Sequence, residues 1–109
     1  MASTYKVLAQ SAPSATTNTD VYTVGSGKSA VVSTITVCNR SAVAVTYRIA
    51  IRVAGSTLSN EEYIAYDVAL AANDTTALTL GVTLAATDVI TVYASSADLS
   101  FGVFGAEVA

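Results

Sequence analysis

Cys38 is the only cysteine of the chain, and Arg40, Arg48 and Arg52 are its only arginines. All four lie in the stretch CNRSAVAVTYRIAIRVAG, residues 38–55. A thiolate beside a guanidinium would be an activated nucleophile, and guanidinium groups in a row would hold carboxylates or other anions. The rest of the chain supplies little to complete such a site. It has no histidine, which removes His-based proton transfer, Ser–His and Cys–His nucleophiles and most zinc sites. Glu61 and Glu62 are adjacent, so on extended chain they point to opposite faces and do not form a carboxylate pair for glycoside hydrolysis. GSGK, residues 25–28, has too few residues between its glycines for a phosphate loop and reads as a turn. Tryptophan is absent, which weakens a sugar-stacking reading, and Tyr63 and Tyr66 are the remaining aromatic candidates nearby. Asp74 and Asp88 suit Asx caps better than a shared calcium site, because no dense acidic loop surrounds either. No catalytic, metal or cofactor residue is assigned. Arg48 and Arg52 leave one strand face about 13 Å apart, too far to clamp one carboxylate. They either face water or make separate contacts with a neighbouring subunit.

Strands must position these groups. Val43, Val45, Tyr47, Ile49, Ile51 and Val53 alternate with Ala44, Thr46, Arg48, Ala50 and Arg52, the pattern of a strand with one buried face. Further strands are expected at residues 6–10, 20–24, 30–38, 63–70, 75–80, 89–94 and 99–108, with turn signals between them. Strand 30–38 places Cys38 with Val32, Thr34 and Thr36, as a packed and inert thiol. Asn39-Arg40-Ser41 then reads as a turn into strand 43–53, making a hairpin. Ile64, Tyr66, Val68 and Leu70 share one side of strand 63–70. LAAND (70–74) and LAATD (84–88) read as similar turns. About eight strands and no helix predict a single all-β antiparallel β-sandwich, with jelly-roll and Ig-like connectivity and an open barrel all possible. Residues 1–19 are expected as an N-terminal arm or extended segment with a short strand, and 20–109 as the sandwich domain. The polar stretch 11–20, with the only proline, Pro13, is either a flexible loop or an arm that orders against a neighbour.

At 109 residues the chain is one domain. Only 12% of its residues are charged, against about 25% in an ordinary soluble domain, and mean hydropathy is +0.54. Few charges remain to keep a lone monomer's surface soluble, which points to an oligomer. A net charge of −3 argues against nucleic acid as partner. One cysteine excludes an internal disulfide and favours folding in a reducing cytosol. Neither a secretory signal nor a membrane span is expected, so Asn39-Arg40-Ser41 and Asn73-Asp74-Thr75 read as chance glycosylation patterns.

The strand before the glycine turn (Tyr22-Thr23-Val24), VCNRS (37–41), YRIAIR (47–52), LAAND (70–74) and VYAS (92–95) together resemble small structural proteins of tailed bacteriophage virions, over roughly residues 20–105. The resemblance implies a β-sandwich virion component without catalytic residues, cofactor or small-molecule substrate. It implies a capsid cement or decoration protein that binds and stabilises the assembled shell, a homo-oligomer partnered by the major capsid protein and assembled in the bacterial cytoplasm. A tail, baseplate or fibre-associated protein contacting other tail proteins or host receptors is the alternative. The residues expected to meet a partner are Arg40, Arg48, Arg52, Glu61, Glu62 and Tyr63.

Overall fold

The computed structural model describes residues 3–109. Its strands are β1 (Ser3–Ser11), β2 (Thr19–Thr23), β3 (Ser29–Asn39), β4 (Val45–Arg52), β5 (Tyr63–Leu70), β6 (Thr75–Leu78), β7 (Val82–Leu84), β8 (Val89–Ala94) and β9 (Leu99–Val108). Two antiparallel sheets pack face to face, in the orders β1-β9-β3-β6 with β7 also on β3, and β2-β8-β4-β5. The pairs β4–β5, β3–β6/β7, β2–β8 and β1–β9 nest one inside the next. They are the arms of one long hairpin whose tip is the β4–β5 connection. Pairing of β3 with β9 and of β4 with β8 rolls that hairpin into two layers. This is jelly-roll connectivity, and it removes the Ig-like alternative.

The core forms because the inner faces carry the β-branched and aromatic residues. Ala30, Val32, Ile35 and Val37 of β3 and Leu99, Phe101 and Val103 of β9 meet Val45, Tyr47 and Ile49 of β4 and Ile90 and Val92 of β8. The Tyr47 and Phe101 rings meet edge to face with centroids 6.4 Å apart. The alternation expected for strand 43–53 holds for Val45, Tyr47 and Ile49, with Ile51 packed partly against the core. Val43 and Val53 lie beyond the strand ends and are exposed.

The structure corrects several local expectations. Strands β3 and β4 are not a hairpin, because Asn39-Arg40-Ser41 carries the chain from one sheet to the other. Both flanks of β3 are taken by C-terminal strands, and so are both flanks of β4. The strand expected at 75–80 ends at Leu78, Gly81 turns at φ +63, and β7 follows as a ninth strand. The first strand is Ser3–Ser11, paired along its length with β9. Residues 3–11 are therefore part of the sandwich rather than a free arm, and only residues 12–18 link β1 to β2; residues 1 and 2 lie outside the described residues.

The register of β3 against β9 shifts between Val32 and Thr34, so Ser33 is an extra residue. Its Oγ donates to the Phe104 carbonyl at 3.1 Å. The bulge moves Val32 to the core and leaves Thr34, Thr36 and Cys38 half-buried on the outer face. The two sequence-alike turns are alike in backbone: Asn73 (φ 54) and Thr87 (φ 69) hold the same left-handed position. Asp88 caps its turn by accepting from Ala85 N–H at 2.9 Å, and Asp74 accepts from Thr75 N–H at 2.8 Å.

The rolled topology sorts the connections. Those after β1, β3, β5 and β8 gather at one end, where Asn39 N–H donates to Asp74 O and Arg40 N–H to Asp98 O. Those after β2, β4 and β7 gather at the other, where Val24 N–H donates to Asp88 O. Asp74 and Asp88 thus sit at opposite ends and share no cation.

Candidate functional site

The most organised polar–aromatic cluster lies on the outer face of the β2-β8-β4-β5 sheet. Arg48 points outward from β4, opposite Tyr93 of β8. The β4–β5 register steps from Tyr47↔Val68 to Ile49↔Ala65, so two β5 residues, Tyr66 and Asp67, stand against Arg48 alone. Asp67 absorbs the bulge at φ 50, a left-handed conformation that aspartate tolerates better than most residues. Ile64 is a second extra residue, between Ala65 and Tyr63.

The bulge brings two partners, Tyr66 and Asp67, to the guanidinium, and the regular β4–β8 register supplies the third, Tyr93. Arg48 Nε donates to Asp67 Oδ1 at 2.6 Å and Nη2 to Oδ2 at 3.3 Å, a two-pronged pair. The rings of Tyr66 and Tyr93 each lie with their centroid 4.3 Å from the guanidinium carbon. The hydrogen bonds that Arg48 donates to Asp67 raise the guanidinium pKa above even its ordinary high value. Tyr63 meets Tyr66 edge to face at 4.9 Å. Tyr66 stays 55% exposed, so the cluster presents a braced aromatic surface to solvent.

Arg52 makes a separate contact, as its distance from Arg48 requires. Nη1 lies 3.5 Å from Asp20 Oδ1 and Nη2 donates to Gly55 O at 3.4 Å. Asp20 also accepts from Thr91 Oγ1 at 2.8 Å. Both strand arginines therefore find carboxylates within their own chain rather than standing free for water.

The remaining expected residues are dispersed. Arg40 sits at one end of the sandwich, its Nη2 donating to Ala97 O at 2.9 Å. Glu61 is exposed at the other end. Glu62 is a brace for the β4–β5 connection, accepting from Val53 N–H, Ser56 Oγ and Ser59 N–H at 3.0–3.2 Å. Cys38 lines a shallow cavity of about 410 Å³ on the outer face of the other sheet with Thr36, Gly102 and Phe104. It is half-buried there rather than packed in the core, and no acid, base or cation lines that cavity. Of the six expected residues, only Arg48 and Tyr63 belong to one cluster.

The sequence reading missed Asp67 and Tyr93, and it named Tyr66 as an aromatic candidate but left it out of the expected interface. Strict alternation placed Tyr66 with the core residues Ile64, Val68 and Leu70; in the structure Ile64, Tyr66 and Val68 are exposed and only Leu70 is buried. The available signal was Asp67 itself, an acidic residue in mid-strand, where its type is disfavoured unless a bulge or an ion pair accommodates it.

A second polar link joins the edges of the two sheets. Glu107 of β9 receives Lys6 Nζ of β1 at 2.8 Å and the Tyr22 hydroxyl of β2 at 2.6 Å. The Lys6 and Tyr22 hydrogen bonds hold the Glu107 carboxyl below its ordinary value. Burial would raise Glu62, but the hydrogen bonds from Ser59, Ser56 and Val53 outweigh it and hold this carboxyl low as well. Burial and the adjacent Glu107 push the Tyr22 hydroxyl up. Depressed carboxyls contribute stability above their unfolded value of 4.5, lost as pH falls through the folded values. The raised tyrosine contributes below its unfolded value of 10.0, lost as pH rises toward its folded value. Thermal melts are expected to be flat between these limits and to fall outside them, and Glu107→Gln should soften the acid limb.

Nothing in this cluster supplies a nucleophile poised beside a base, and among the described residues no three His, Cys, Asp or Glu side chains gather as a metal site. Compared with protein-family models, with curated proteins and with solved structures, the chain matches none.

Proposed function

We propose that this chain is a non-enzymatic structural protein of a bacteriophage virion, a capsid cement protein that binds the assembled shell through the outer face of its β2-β8-β4-β5 sheet. The observation that carries the reading is the exposed Tyr66, held by Arg48 and Tyr63 on the outer sheet face. Tyrosine and arginine dominate protein–protein contact energies, and a side chain already fixed loses little freedom on binding. A braced aromatic side chain left 55% exposed suits another protein's surface better than a small ligand, which needs a site that buries most of it. The low charge of the chain and its resemblance to small virion proteins support the same reading. A protein that binds only the assembled lattice stabilises that lattice by mass action.

Quantitative mass spectrometry of purified particles tests placement. Hundreds of copies per particle are expected; a handful would favour the tail reading, and none would overturn both. Tyr66→Ala tests the face: shell binding is expected to weaken by about 2 kcal/mol, roughly thirtyfold, while the melting temperature moves little. Unchanged binding would remove this face from the interface.

A further inference from the structure

We propose that β1 is an exchangeable strand: in an oligomer of this chain, β1 of one copy takes the place of β1 on β9 of a second copy. This goes beyond the virion reading and is tested on the purified protein alone.

Strand β1 is a lightly buried edge element of the fold. None of its nine residues is fully buried, and Tyr5 is 86% exposed. Its hold consists of the ladder to β9, partial packing of Leu8 and Ala9 on the core, and the Lys6–Glu107 ion pair. The ladder itself breaks register between Val7 and Ala9. Elements with few buried contacts open at a small fraction of the global unfolding free energy.

The linker to β2 carries strain that opening would release. Pro13 is buried and fixes its start, while residues 14–18 are exposed. Within them Thr16 sits at φ 53 so that its N–H can reach Ala94 O at 2.8 Å. A β-branched residue is an outlier in that region. Extending the linker returns Thr16 to the β region, where threonine is comfortable. Strained hinges next to exchangeable elements favour swapping.

The occupant follows from complementarity already present in the molecule. The seat on β9 matches β1 from Ser3↔Val108 to Ser11↔Phe101 and sets Glu107 against Lys6. A second copy's β1 satisfies the same register and the same charge pair, so exchange restores every β1–β9 contact and gives up only the linker's Thr16 N–H to Ala94 O bond.

Two variants of opposite sign test the hinge. At a fixed concentration, Thr16→Gly, which accepts positive φ, should lower the dimer-to-monomer ratio about fivefold for each hinge relieved. Thr16→Pro, which forbids positive φ and removes the N–H, should raise it. Light scattering on the refolded full chain reads both; a ratio that neither variant moves, or a chain monomeric throughout, overturns the proposal. Cross-linking tests the seat. In a Cys38→Ser background, Tyr5→Cys and Ala106→Cys proteins are co-refolded and oxidised, with both substitutions in one chain as the geometric control, since these positions are register partners. A covalent dimer containing one of each variant supports exchange. Closure only within the doubly substituted chain, with no cross-chain product in the mixture, overturns it.

Discussion

Asn39→Asp is expected to fold in mild acid and to lose stability, relative to the parent, as pH rises to neutrality. Asn39 ends β3 where the chain leaves one sheet for the other, and only 1% of it is exposed. Its Nδ2 donates to the carbonyls of Val43, Leu70 and Ala71 at 2.9, 3.2 and 3.1 Å. Its Oδ1 accepts from Ser41 N–H at 2.9 Å and Ser41 Oγ at 2.8 Å. One amide thus ties the β3–β4 and β5–β6 connections together. Asn39→Ala strands these groups in the interior and should cost about 3 kcal/mol or more, a loss of roughly 15 °C in melting temperature for a domain of this size. In Asn39→Asp a carboxylate faces three carbonyl oxygens without water, which raises its folded pKa above the unfolded value of about 3.9. The folded state then holds a proton the unfolded state gives up, so stability is greatest below that value and is lost as pH rises. Melting curves of variant and parent compared at each pH isolate this effect from the acid lability of Glu107 and Glu62. A difference independent of pH would mean that the side chain reaches water, against the seat described. The same burial leaves no room for a glycan on Asn39.

How much of this was readable depended on sequence distance. The alternation of Val45, Tyr47 and Ile49 was legible because β4 is central, flanked by β8 and β5, and one of its faces meets the core. The turns at 25–28, 70–74 and 84–88 were legible because left-handed or capped positions demand glycine, asparagine or aspartate locally. The β3–β4 connection was not. Asn-Arg-Ser has the same local chemistry in a hairpin as in a crossover, and the choice rests on Asn39 reaching Leu70 and Ala71, 31 and 32 residues away. Strand β5 misled for a related reason. An edge strand with a bulge at Asp67 no longer alternates, and the bulge makes sense only once Arg48, 19 residues earlier, is beside it. Arg52 likewise finds Asp20 across 32 residues, and Tyr22 finds Glu107 across 85. The fold class could be read from periodicity; the site could not, because the contacts that centre on Arg48, to Asp67, Tyr66 and Tyr93, all join separate strands.

Among the glycines, substitution by alanine should produce a graded series, with Gly105→Ala by far the most damaging. A Cβ on Gly27 would meet nothing within 4 Å, so only its φ of +74 opposes a side chain, at about 1 kcal/mol. A Cβ on Gly102 would come 2.7 Å from Thr36 Oγ1 and 2.9 Å from the Phe104 ring, side chains that can turn aside at intermediate cost. A Cβ on Gly105 would run into the Val31 carbonyl oxygen and lie 3.0 Å from Val31 C and Val32 Cα. Those are backbone atoms of the neighbouring strand, and no rotamer relieves the overlap. The cause is the bulging on both sides of β9: β1 breaks register at Leu8 and β3 at Ser33, both opposite Phe104. These bulges bend the sheet, as β-bulges do, and the β3 backbone comes down onto β9 at Gly105. Alanine there must push β3 from β9 at the centre of the sheet, so a loss above about 4 kcal/mol, or failure to fold, is expected. Urea unfolding of the three variants orders them. A Gly105→Ala protein no less stable than Gly27→Ala would show that the two strands can part at this point without loss, and that close approach at Gly105 is not what curls the sheet.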